Sequence, residues 1–218
     1  VRMAVCLDYM FDPENLTPEQ RNDPYRAARM GSFKSFSDGS LGSRSAKLYT
    51  DYADDPGNTG ILVISPEDLA KRMYKAYRHG LQPATHCIGD KALEVTLDAV
   101  EYCLQQGLKD GMTPEEQAKR LPFRIIHAQM ATPELIERMK KLPIVLDIQP
   151  TFLMTDLHWI EERVGKERAV LSYPWKTYLD AGLIMAGGSD APVESFNPWI
   201  GIYAAVTRQD MDGYPVGG

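Results

Sequence analysis

Histidine and cysteine are scarce in this 218-residue sequence, at four and three residues. Cys6, Cys87 and Cys103 are odd in number and nowhere form a CxxC pair, which speaks against a disulfide framework or a thiolate zinc site. A reducing, cytoplasmic compartment is the expectation. No run of about 18 apolar residues occurs, so no segment has the length of a membrane-spanning helix. Val1-Arg-Met-Ala-Val-Cys6 lacks the basic-then-apolar order of a signal peptide. The net charge of −6 is spread along the chain, without a basic stripe or interleaved aromatics, so no nucleic-acid partner is expected. No GxGxxG follows the first apolar run, which disfavours a dinucleotide-binding sheet.

What remains is a hydrophobic content of 44%, enough for a full-sized core in one domain over residues 1–218. Short apolar runs alternate with amphipathic stretches. Strands are expected at 1–7, 32–36, 82–86, 123–127, 143–148 and 183–190. A short helix is expected between the turn signals Asp12-Pro13 and Asn22-Asp23-Pro24, and a long Gly- and Ser-rich loop from Asp38 to Ile64. Ser65-Pro66, Asp90, Thr113-Pro114, Thr132-Pro133 and Asn197-Pro198 read as helix starts, with Asp90 capping a helix whose Leu93, Leu97, Val100 and Leu104 share one face. Residues 151–170 read as a polar insertion carrying His158 and Trp159. Six strands each followed by a helix imply parallel pairing through helical crossovers. The expected fold class is α/β, a (β/α)8 barrel of the TIM type with about six of its β/α units in this chain, because ligand-type residues end several different strands.

Those residues are His86 after Gln82-Pro-Ala-Thr, His127 after Phe123-Arg-Ile-Ile, Asp190 after Leu183-Ile-Met-Ala-Gly-Gly-Ser, and Lys34 within the second strand. Imidazole nitrogen and carboxylate oxygen suit zinc and its neighbours, and a metal-bound water would titrate near neutrality with Asp190 close enough to take its proton. Each residue has a plainer role: a hydrogen-bonded structural histidine, a snorkelling Lys34, an Asp190 turn before Ala191-Pro192. Unmodified Lys34 would repel a cation, and only a carbamate on its amine makes it an anionic bridge. His79 at a helix C-terminus suits the dipole there, His158 a surface loop, and Cys87 packing.

Taken jointly, Lys34-Ser-Phe-Ser-Asp38-Gly-Ser-Leu-Gly-Ser-Arg44, Thr85-His86-Cys-Ile-Gly-Asp90-Lys-Ala, Ile125-Ile-His127-Ala-Gln129, Ile148-Gln149-Pro150 and Gly187-Gly-Ser-Asp190-Ala-Pro192 resemble the amidohydrolase superfamily, specifically its YtcJ-like family 3 group. The resemblance implies a metal-dependent hydrolase of carbon–nitrogen bonds in amides, with a small-molecule amide-type substrate and one or two divalent ions, zinc first. By motif match it implies that Lys34 in carbamylated form, His86, His127 and Asp190 are the metal ligands. It makes Asp190 the base and puts Asp38, Arg44 and Gln149 in the surroundings of the site. The family's first-strand His-x-His pair is missing, since no two of the four histidines stand two residues apart. The chain is therefore expected to start at the third barrel strand, to lack the β-rich domain that flanks such barrels, and to bind metal only partially with little activity by itself. A homodimer is left open. Two other readings are a non-catalytic scaffold of the same fold and a metal-independent lyase using Lys34 as a Schiff-base amine.

Overall fold

The structure, a computed structural model, describes residues 3–7, 15 and 28–217. The short helix expected between Asp12 and Pro24 lies almost wholly outside them. Among the described residues six strands are present: β1 Met3–Leu7, β2 Ala28–Phe36, β3 Gln82–Cys87, β4 Phe123–His127, β5 Ile144–Ile148 and β6 Met185–Gly187. They pair in parallel and in the order β1-β2-β3-β4-β5-β6. A doubly wound sheet reverses its strand order at a switch point, and this sheet never does. Sequential order with helical crossovers is the arrangement of a barrel wall, so the fold is α/β and forms an incomplete arc of a (β/α)8 barrel.

Alternation along each strand separates two faces. Cys87, Ile125 and Leu146 face outward into the main core. There they meet α1, Pro66–Arg78, and α2, Asp90–Lys109, which buries Leu93, Leu97 and Val100 as the spacing predicts. The opposite face is polar at its lower level. Arg124 forms an ion pair with Asp147 and donates to the Ser32 hydroxyl at 2.6 Å, and Ser32 in turn donates to Gln82 at 3.3 Å. Nothing in the apolar look of Phe123-Arg-Ile-Ile marks that layer.

Ser65 caps α1 by accepting from the Asp68 N–H at 3.1 Å. Thr113 and Glu116 close a capping box on α3, Pro114–Ala118, and Thr132 caps α4, Pro133–Met139. Two expectations need correction. Asp90 is the first residue of α2 and not its cap; Gly89 holds the cap position without a side-chain bond. A Cβ on residue 89 would lie 2.0 Å from the Lys47 carbonyl oxygen, so the approach of the 38–64 loop decides that boundary. Residues 151–170 are not an irregular insertion. They fold as α5 Pro150–Asp156, α6 Ile160–Val164 and α7 Lys166–Ala169, because Leu153, Ile160 and Val164 are buried. After them come α8, Trp175–Asp180, and α9, Pro198–Thr207.

The 38–64 loop is irregular as expected, yet it is built around a core of its own. Leu41, Ala46, Leu48 and Tyr52 pack against Ile88, Met130, Ile160 and Val164. Cys87 and Cys103 are free, buried thiols. Among the described residues no helix is long and apolar enough to cross a membrane.

Candidate metal centre

Register sets the two histidines at the ends of neighbouring strands, and the left-handed backbone at His127 departs from the strand alternation that would leave its ring on the other face. Phe36 pairs with His86 across β2 and β3, and Cys87 pairs with His127 across β3 and β4, so the histidines end neighbouring strands one rung apart. Their rings meet edge-on with centroids 4.5 Å apart. Phe36 flanks His86 at 5.3 Å and Phe152 of α5 flanks His127 at 5.5 Å, which makes a row of four rings from four elements. Lys34, two residues before Phe36 and on the same face of β2, holds its Nζ 4.9 Å from the Phe36 ring centroid.

Burial keeps both imidazoles neutral. It lowers the pKa of His86 to about 4, the Gly39 carbonyl opposing and the Lys34 charge adding to the shift. His127 falls to about 2, again chiefly by burial, with His86 and then Lys34 pushing the same way. The His86 Nε2 lies 2.9 Å from the Gly39 carbonyl, which can only accept, so Nε2 carries the proton and Nδ1 the lone pair. The Nδ1 of His127 is buried and has no hydrogen-bond partner. A carbonyl that fixes one ring's tautomer and an orphaned nitrogen on the other are what a pair of metal-binding imidazoles requires. His127 and Ala128 both adopt left-handed backbone, φ +73° and +45°, at a cost of about 1–3 kcal/mol each.

Asp38 lies beside His86. Its carboxylate accepts from the backbone N–H groups of Lys47, Ile88 and Gly89 at 2.8–3.1 Å, and Oδ1 lies 3.6 Å from His86 Nε2. Burial pushes its pKa up to about 7 against the pull of those donors. It ties the loop to the end of β3 where His86 sits. Gln149, also buried, precedes α5, donates to the Asp147 carbonyl at 3.0 Å and leaves its Oε1 without a partner. Arg44 instead grips Asp54 at 3.0 and 2.8 Å, and Arg163 of α6 joins the same carboxylate, so its contacts brace the loop.

Asp190 follows β6 in a left-handed turn, φ +55°, and is exposed. Its charge is felt at His86, yet among the described residues no three His, Cys, Asp or Glu side chains gather closely enough to hold an ion. Of the four expected ligands, the structure brings together His86 and His127 with Lys34 nearby, and does not bring Asp190 into one cluster with the histidines. Two neutral nitrogen donors fit a divalent ion. His158 is elsewhere, stacked on Tyr214 at 5.2 Å and 3.0 Å from Asp210. Phe36 and Phe152 were not anticipated as site residues. The period-two spacing of Lys34 and Phe36 could have exposed the first; nothing local exposes the second.

A profile described as the amidohydrolase family matches residues 2–217. Over 192 residues the chain is 40% identical to YtcJ of Bacillus subtilis (strain 168), assigned by its name to the amidohydrolases, which covers 88% of this chain and 34% of that protein. It is also 40% identical over 181 residues to LONG AFTER FAR-RED 3 of Arabidopsis thaliana, covering 82% of this chain and 29% of that one. A crystal structure described as an uncharacterized metal-dependent hydrolase from Pyrococcus horikoshii OT3 superposes with a TM-score of 0.82 at 33% identity, over 95% of this chain and 39% of that chain. The chain thus spans about a third of the length of the curated relatives it matches. With sequential parallel strands, paired histidines at two strand ends and a family match along nearly all of its length, the chain belongs to the amidohydrolase family.

Proposed function

We propose that this chain forms part of the catalytic barrel of a metal-dependent hydrolase that cleaves carbon–nitrogen bonds of non-peptide amides in small molecules. Lys34, His86, His127 and Asp190 are the proposed ligands. The observation that carries the reading is the pair of buried, neutral imidazoles meeting at 4.5 Å on adjacent strand ends, one of them with an orphaned ring nitrogen. A bound divalent ion, zinc by its match to imidazole and carboxylate donors, would polarise the substrate carbonyl and supply a water acidic enough to attack near neutral pH.

The chain's own residues do the rest. Phe36 and Phe152 wall the histidines with apolar surface, keeping water off them and holding them neutral. Loss of one proton from the Lys34 ammonium, then addition of carbon dioxide to the free amine with loss of a second, turns a cation that disfavours metal into a carbamate anion that favours it. Asp190 takes the proton from the attacking water and returns it to the departing nitrogen. For that its exposed turn must bring the carboxylate inward.

The test uses the whole protein with added zinc and a panel of N-acyl amides, reading amine release. Asp190→Asn and His127→Ala are expected to lower turnover by about 100-fold or more; wild-type turnover in both variants overturns the assignment. A non-catalytic module of this fold is favoured by the lack of a three-donor cluster among the described residues, and it predicts no zinc-dependent amine release in the same assay.

A further inference from the structure

Beyond the proposed ligands, the end of β4 is held by a set of buried polar groups that no step of the chemistry uses. The Tyr178 hydroxyl of α8, fully buried, donates to the Ala128 carbonyl at 2.7 Å. Gln129 donates from its side chain to the Asp156 carboxylate at 2.7 Å, and the Tyr173 hydroxyl donates to the same oxygen. The Tyr173 N–H returns to the Gln129 carbonyl at 2.7 Å, with Tyr173 itself left-handed at φ +50°. From the other side, the Ala128 and Met130 N–H groups donate to the Cys87 and Ile88 carbonyls, both at 3.0 Å. Gln129, Asp156, Tyr173 and Tyr178 are all buried.

Two consecutive non-glycine residues in left-handed backbone persist only where the surroundings over-determine them. Here those surroundings are these hydrogen bonds, and the kink they hold is the one that turns the His127 ring toward His86. We propose that Tyr178 and the Asp156–Gln129 pair are positioning residues that lock the left-handed turn at His127-Ala128 and thereby aim the His127 imidazole. The inference rests on the reading of His127 as a ligand only for its functional meaning; the placement of the ring is testable without metal.

The experiment compares the metal-free chain and its Tyr178→Phe variant by nitrogen-15 NMR of the histidine rings, with thermal melting alongside and zinc affinity measured by titration. Tyr178→Phe is expected to shift or broaden the His127 ring signals while those of His158 stay in place, and to weaken zinc at least about tenfold. Adding Ala128→Gly should restore the His127 signals, since glycine adopts the left-handed turn without help. A purely structural tyrosine would lower the melting temperature and leave the His127 signals where they were, and that result overturns the proposal. Should Tyr178→Phe not fold, Asp156→Ala is read by the same signals, and unmoved His127 resonances there overturn it equally. If the unmodified chain takes up no zinc, the ligand set fails, while the ring signals still decide the positioning role.

Discussion

His86 and His127 have the same chemistry in the sequence and the same fate in the fold: both lose their charge to burial, each beside the other and beside Lys34. Their ordinary pKa of 6.5 falls to about 4 and about 2, so both rings should stay neutral in an NMR titration down to about pH 5. A ring of either that gains a proton between about pH 6 and 7 would contradict the buried placement. The sign of the linked stability follows. The unfolded chain takes up protons on these residues near 6.5 and the fold does not, so they withdraw stability as pH falls from 6.5 toward 4. Asp38 and Asp156, raised from 3.8 to about 7 and about 6 by burial, act the other way. The fold keeps protons that the unfolded chain has released, so these carboxylates withdraw stability as pH rises from 3.8. With two groups of each kind, the melting temperature of the metal-free chain should change little between about pH 4.5 and 6; a steady fall toward low pH would show the histidines acting alone.

The elements are set by different forces at positions that look alike. Ser65 and Gly89 are both N-caps, of α1 and α2. Ser65 is exposed and works locally, its hydroxyl accepting from the Asp68 N–H and donating to the Asp68 carboxylate, so Ser65→Ala should cost about 1 kcal/mol in denaturant unfolding. Gly89 makes no side-chain bond, but its added Cβ would meet the Lys47 backbone at 2.0 Å, where no flexible side chain can yield. Gly89→Ala should therefore cost about 3 kcal/mol or more and loosen the 38–64 loop, which Asp38 and the Tyr49-to-Asp90 hydrogen bond fasten to the same corner. Equal losses for the two variants would mean that the loop moves aside freely. The loop is thus an element in the energetic sense, with its own core, though it has no regular hydrogen-bonded pattern.

At the scale of the whole molecule, the six strands form an arc that collects the strand ends on one rim, and the proposed ion would join elements as far apart in sequence as β2 and the turn after β6. Binding to the fold and not to the unfolded chain would then stabilise the whole. Zinc at about 100 times its dissociation constant is expected to add about 2.7 kcal/mol, a rise of about 5–10 °C in melting temperature that a chelator reverses. A melting temperature indifferent to zinc at millimolar concentration counts against the ligand set.

The alternation of short apolar strands with capped helices was enough to predict the α/β class, five of the helix starts within a residue or two, the strand end at His127 and, to within one residue, the strand end at His86, because each depends on neighbours in the chain. The motifs carried the family for the same reason. Other features belong to contacts made across the fold. Gly89 replaces Asp90 as a cap because Lys47 passes over it, and Arg44 braces the loop because Asp54 and Arg163 are there. Phe152 reaches His127 from α5, and Tyr178 reaches Ala128 from α8. What the sequence by itself determined is which residues end the strands. Only the tertiary structure decided which of them meet, since a ligand set is a matter of distance between parts of the chain that no local pattern relates.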